Sequence, residues 1–224
     1  MPPVSRTLAV SRYLAADLVR SQRFLMPVFA YLVVLVVLVG GRSGPPPASW
    51  AWSAGLLYPI SVWLAVTVAN AEDPAQRHVT VAAAGGWARM QLGVLGTCLG
   101  CDAVLVVLAV LRPLVPLGGP AHPIPASVLL LGVLAHLTSA TTGTSVGLLC
   151  ARPLVRRPGR ALLAACAVTL ATGTQPWLPP VGTAIRQLVG ADPSPWWLAR
   201  DTLVAIVLSG LAVALSTAAG PRRS

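Results

Sequence analysis

The chain has 224 residues, 55% hydrophobic and only 10% charged, with a formal net charge of +10 and a mean hydropathy of +0.75. A soluble domain carries roughly 25% charged residues, so six acids and sixteen basic residues are too few to coat a water-facing surface of this size. All the basic residues are Arg, which excludes a standard P-loop, because that motif needs a Lys to reach the nucleotide phosphates.

In chain order, residues 5–23 predict an amphipathic helix lying in the headgroup plane. At about 100° per residue, Val10, Leu14 and Leu18 share one face, with Arg12, Arg20 and Arg23 roughly opposite. Long runs without Asp, Glu, Lys or Arg then follow: Phe24–Gly41, Ser43–Ala71, Pro113–Ala151, Ala161–Ile185 and Thr202–Pro221. A helix needs about 20 apolar residues to cross the hydrocarbon. Backbone groups there must be satisfied internally, so each span is expected to be α-helical. Six spans are predicted: 24–41, 51–69, 90–111, 126–150, 161–178 and 201–219. The expected fold is all-α, a single transmembrane domain over 1–224. The first run begins late, is long and lacks a following A-x-A site, unlike a cleaved signal peptide. Cys98, Cys101, Cys150 and Cys166 fall in or at the ends of spans, which is no secreted disulfide framework.

Arginine counts orient the spans. Arg6, Arg12, Arg20, Arg23, Arg77, Arg89, Arg152, Arg156, Arg157, Arg160, Arg222 and Arg223 fall in alternate segments, against Arg42, Arg112, Arg186 and Arg200 on the other side. The positive-inside rule places both termini in the cytoplasm of a multi-pass plasma-membrane protein. Arginines spaced this way between apolar runs do not suit nucleic acid. The outer loops are proline-rich, with Pro45–Pro47, Pro116, Pro120, Pro123 and Pro125. The last one, 175–200, holds Pro176, Pro179, Pro180, Pro193 and Pro195 around a helical patch, Thr183–Val189, flanked by Trp177, Trp196 and Trp197. That patch reads either as a short helix dipping back into the membrane or as an exposed loop.

Loop 70–89 is the most informative segment. Asp73 suits an N-cap, Pro74 suits the first helical turn, and Gly85-Gly86 suits a helix end, which predicts a short helix over 74–84.

Inside the spans, Gly143-Thr-Ser-Val-Gly147 matches the G-x-S-x-G of serine hydrolases. His136 sits nine residues from Ser145 on the same predicted helix, about 14 Å along its axis, so the two cannot bond. His78 and His122 fall in loops on opposite sides. These glycines, with Ser139, read better as small-residue helix packing, matched by Gly93, Gly96 and Gly100 in span three. The pair Cys98-Leu-Gly-Cys101 reads as small apolar packing rather than a redox site. Asp102 and His136 are costly at mid-span and face a bundle interior. On antiparallel neighbouring spans they could pair, as a structural lock or as part of a translocation path.

The layout resembles the permease subunits of ABC-2 type exporters, which have an N-terminal interfacial helix, six spans and a cytoplasmic helix between spans two and three. In that family the helix starts with an acidic pair, passes through an Arg and a Thr, and ends at a turn followed by Arg. Glu72, Asp73, Arg77, Thr80, Gly85, Gly86 and Arg89 match in order. The sequence departs at Gln91-Leu92-Gly93, where a Lys often follows the Gly. The resemblance implies a type V ABC exporter-like fold, with 70–89 as the coupling loop. Glu72, Asp73, Gln76, Arg77 and Thr80 would engage a separate ATPase subunit that binds the ATP and Mg; this chain would need no cofactor or metal and would do no chemistry. It implies a homodimer or heterodimer of permeases. Cavity-facing spans rich in Val, Leu, Ala and Trp suit an apolar or amphipathic cargo. The competing expectation is a stand-alone, proton-coupled secondary transporter using Asp102 and His136.

Overall fold

The computed structural model describes residues 3–40, 46–114, 124–155, 157–190 and 192–223. Arg42, Pro45, Pro116, Pro120, His122, Pro123 and Arg156 lie outside them. The described residues form helices and no strand. The α-helices are α1 (Pro3–Ser21), α2 (Leu25–Gly40), α3 (Ala48–Ala69), α4 (Pro74–Ala84), α5 (Trp87–Leu111), α6 (Ala126–Cys150), α7 (Pro158–Gly173), α8 (Val181–Val189) and α9 (Pro195–Arg223).

Helices α3, α5, α6 and α9 are long and apolar enough to cross a membrane, and α1 with α2 makes a fifth candidate if the bent pair is one span. This is the make-up of a multi-pass membrane protein. Among the described residues four or five helices reach the usual crossing length, and a sixth full-length span is not established. Helices α2 and α7 have 16 residues each, short of the usual crossing length of about 20. Helix α2 is cut off from α1 by a 77° bend. Gln22 sits at that corner with φ 54°, a region non-glycine residues seldom enter. Helix α7 stops at Gly173 rather than 178, because Pro176 disfavours helical geometry in the residue before it.

The centre of the bundle is the α3–α6 pair, the most extensive contact in the molecule. Small residues on α6 make it possible. A Cβ added at Gly143 would stand 2.5 Å from the Tyr58 carbonyl oxygen, and one at Gly147 would stand 2.6 Å from the Ala65 side chain. Gly132 receives the ring of Trp50, which is buried. The glycine series on α5 does something else: it seats α1, not another span. Gly93 lies under Val10 and Gly96 under Ser11, while a Cβ at Gly100 would meet nothing within 4 Å. Ser11 Oγ donates to the Gly93 carbonyl at 3.0 Å. Val10, Leu14 and Leu18 are all buried, as the amphipathic reading of α1 requires.

The last loop contains helix α8, packed on the bundle rather than exposed as a loop. Val181, Ala184 and Leu188 bury themselves against the bundle, where α8 packs on α3 and α6. Leu203, Ile206, Val207, Leu211 and Leu215 of α9 stay exposed, as a lipid solvent permits.

The Gly147→Leu substitution is expected to force α3 and α6 apart and to cost about 1–3 kcal/mol. Gly100→Leu is expected to be nearly neutral. Thermal unfolding of the two variants in mild detergent compares them directly.

Candidate functional site

Two groups of residues were singled out, one in loop 70–89 and one inside the bundle. The loop folds as expected. The Asp73 carboxylate accepts from the Gln76 N–H at 2.8 Å, with Pro74 in the first turn. At the other end Gly85 has φ +80°. Its N–H donates to the Ala82 carbonyl at 3.1 Å, and the Gly86 N–H donates to that of Val81 at 3.0 Å. This paired closure needs a left-handed residue, and glycine supplies it without strain.

What fixes α4 in place is arginine on carbonyl oxygen. Arg77 is buried and its Nη1 donates to the Ala69 carbonyl at 2.7 Å, in the last turn of α3. Its Nη2 reaches the Arg152 carbonyl at 3.4 Å, just past α6. Arg152 returns a bond from Nη1 to the Glu72 carbonyl at 3.4 Å, and Arg23 Nη1 donates to the Ala71 carbonyl at 3.1 Å. Carbonyls at a helix C-terminus lack intrahelical partners and carry partial negative charge, so cations settle there. The Arg77 guanidinium also lies over the Trp87 ring at 5.9 Å. Burial pulls its pKa below the ordinary arginine value; the Glu72 carboxylate opposes that shift and Arg152 adds to it.

Glu72 and Arg77 do not form an ion pair. The Glu72 side chain instead accepts from Thr80 Oγ1 at 2.6 Å, and Glu72 is only 3% exposed. These two side chains therefore shape the loop from within. The exposed residues of α4 are Pro74, Ala75, Gln76, His78, Val79, Ala82 and Ala83. They sort into two flanks. Ala75, His78 and Ala82 form the exposed outer flank, where the His78 ring also bonds the Pro74 carbonyl at 2.7 Å and stands edge-on to Trp87. Gln76, Val79, Thr80 and Ala83 border a cavity shared with α1, where Gln76 Nε2 donates to the Tyr13 hydroxyl. The sequence pointed to Gln76, but the outward trio was missed; helical period counted from Pro74 was enough to find it.

The intramembrane pair is corrected. Asp102 and His136 do not meet. Asp102, on α5, accepts from Ser61 Oγ of α3 at 2.8 Å and from Thr144 Oγ1 of α6 at 2.6 Å. His136, fully buried on α6, bonds Ser53 Oγ at 2.9 Å through Nε2 and the Gly132 carbonyl at 2.7 Å through Nδ1. The register between α5 and α6 sets Asp102 opposite Thr144, eight residues or about 12 Å along α6 from His136. Ser145 Oγ bonds the Thr141 carbonyl and Ser209 Oγ, both at 2.7 Å. Thr138 and Thr202 pair at 2.8 Å, so two hydroxyl rungs tie α6 to α9. Cys98 and Cys101 are both free thiols.

Substituting Asp102 by Leu would leave Ser61 and Thr144 without their acceptor at the junction of α3, α5 and α6. The expected loss is about 1–3 kcal/mol, with Asp102→Asn retaining part of it. The Arg77→Lys variant keeps the charge but not the reach to two carbonyls. It is expected to speed amide hydrogen exchange across 69–84 while leaving α6 unchanged.

No family model matches the chain, and no curated protein or solved structure is similar to it.

Proposed function

We propose that the chain is the membrane subunit of an ATP-binding cassette exporter of ABC-2 type. In this reading α2, α3, α5, α6, α7 and α9 provide six spans, with both termini in the cytoplasm. The observation that supports it most is the construction of α4. It is capped at both ends, and Arg77 fastens it to the ends of α3 and α6. Ala75, His78 and Ala82 remain exposed. A helix built this way transmits a push: force on its outer face passes through Arg77 to the two helices at the centre of the bundle.

The segments rich in arginine also gather at one end of the molecule. Arg23 bonds Ala71, Arg77 bonds the Arg152 carbonyl, and the Trp87 ring packs on Gly220 near the end of α9. That convergence agrees with a cytoplasmic end facing a soluble ATPase, which would bind the ATP and Mg. An apolar pocket of about 430 Å³, with Trp52, Gly55, Leu56, Gly173 and Ile185 in its wall, favours an apolar or amphipathic cargo. A proton-coupled secondary transporter has less support, since Asp102 and His136 hold separate partners.

Affinity purification tests the reading. A tagged chain is expected to retain an ATP-hydrolysing subunit from its own cells. Ala75→Glu and Ala82→Glu, with His78→Gln, together should abolish retention, and thermal unfolding checks that the variant, which loses the His78 contacts to Pro74 and Trp87, is still folded. If no ATPase is ever retained, or if export persists unchanged in the triple variant, the proposal is wrong.

A further inference from the structure

The cavity between α1 and α4 lies on the flank of α4 that carries Gln76 and Thr80, apart from Ala75, His78 and Ala82. Its volume is about 750 Å³, within the range of roughly 300–1,000 Å³ typical of small-molecule sites. Ala9, Val10 and Tyr13 of α1 form one wall; Gln76, Val79, Thr80 and Ala83 of α4 form the other. Its lining includes no carboxylate.

Arginines stand at one end. Arg6 lines the cavity, and Arg89 reaches the same corner from the first turn of α5. A Cβ built on Gly85 would find Arg89 Nη1 at 2.5 Å and Arg6 Nη1 at 3.0 Å, so the two guanidinium groups flank a single point. Arg89 Nη1 donates to the Gly85 carbonyl at 2.8 Å. Among the described residues the one ion pair is Arg200–Asp201, so neither Arg6 nor Arg89 has a carboxylate partner. Like charges this close repel, and an anion placed between them is held by both.

The cavity is thus amphipathic in the sense that matters at a membrane surface: Arg6 at one corner with Arg89 beside it, and largely apolar walls beyond. Its α1 wall belongs to a helix whose pattern places it in the headgroup plane. Cytoplasmic leaflets carry anionic headgroups that attract such arginines. We propose that the α1–α4 cavity binds one anionic phospholipid, its phosphate between Arg6 and Arg89 and its acyl region against Val79 and Ala83. Bound there, the lipid bridges the interfacial helix and α4. It occupies a different flank of α4 from Ala75, His78 and Ala82.

The test uses the full chain alone, without any ATPase, so its outcome is independent of the exporter proposal. The protein is reconstituted in phosphatidylcholine nanodiscs with or without phosphatidylglycerol, extracted gently, and retained lipid is counted by native mass spectrometry. Phosphatidylglycerol is expected to be retained in preference to phosphatidylcholine. Arg6→Gln with Arg89→Gln should lower that retention roughly ten-fold. Ala83→Trp, which fills the cavity but keeps both arginines, should lower it equally. Thermal unfolding checks that each variant is folded, and Ala9→Trp serves as the second cavity-filling variant where Ala83→Trp fails to fold. Equal retention by the wild-type chain and the folded variants overturns the proposal. So does displacement of the lipid by millimolar inorganic phosphate, which would indicate an anion site without selection for the acyl region. In whole cells, a photoreactive side chain at position 83 that cross-links a protein rather than lipid also overturns it.

Discussion

Hydrocarbon offers no hydrogen bonds, and the interior of this bundle is organised around that fact. The Asp102 carboxyl group is the sharpest instance. It sits on α5 and is satisfied by Ser61 of α3 and Thr144 of α6, so one side chain ties three helices together. Those bonds depend on close approach of α3 to α6, and Gly143 and Gly147 permit it. Glycine packing and polar satisfaction are therefore one arrangement. The rungs from Thr138 to Thr202 and from Ser145 to Ser209 extend the same solution to α9.

A second constraint acts where helices end. Each C-terminus leaves carbonyls unpaired, and three arginines gather on those of residues 69–72. Guanidinium groups suit the task because they donate in several directions and hold their charge under burial. The result joins α3, α4, the α1–α2 corner and the segment after α6 into one plate. A lysine concentrates its three donors on one nitrogen, whereas Arg77 reaches Ala69 and Arg152 through two nitrogens set apart on a rigid fork. The absence of Lys thus has a structural counterpart at this end of the molecule.

Much of this was legible in the sequence where a single local rule decides. Residues 126–150 were expected to be helical, and α6 runs Ala126–Cys150. Asp73, Pro74 and Gly85 fixed α4 because caps act within one turn. What escaped depended on register and partner choice. Span five was drawn too long because charge-free length ignores Pro176. Asp102 and His136 were set together because both lie near mid-span, yet a mismatch of two helical turns gives each its own hydroxyl. The family resemblance assigns Glu72 and Arg77 a partner-facing role, yet both are buried in the chain. Their burial follows from carbonyls that no sequence pattern displays.

Helix α7 carries one more consequence. At 16 residues it is about 24 Å long, while the hydrocarbon is about 30 Å thick. Read as a span, it is several ångströms short, and the bilayer beside it must thin or the flanking residues must stretch to meet the headgroups. Helix α8 is packed next to it, and the apolar pocket bordered by Gly173 opens between them and α3. A bilayer thinned in this way would be thinnest beside that pocket, where the distance from acyl chains to water is least.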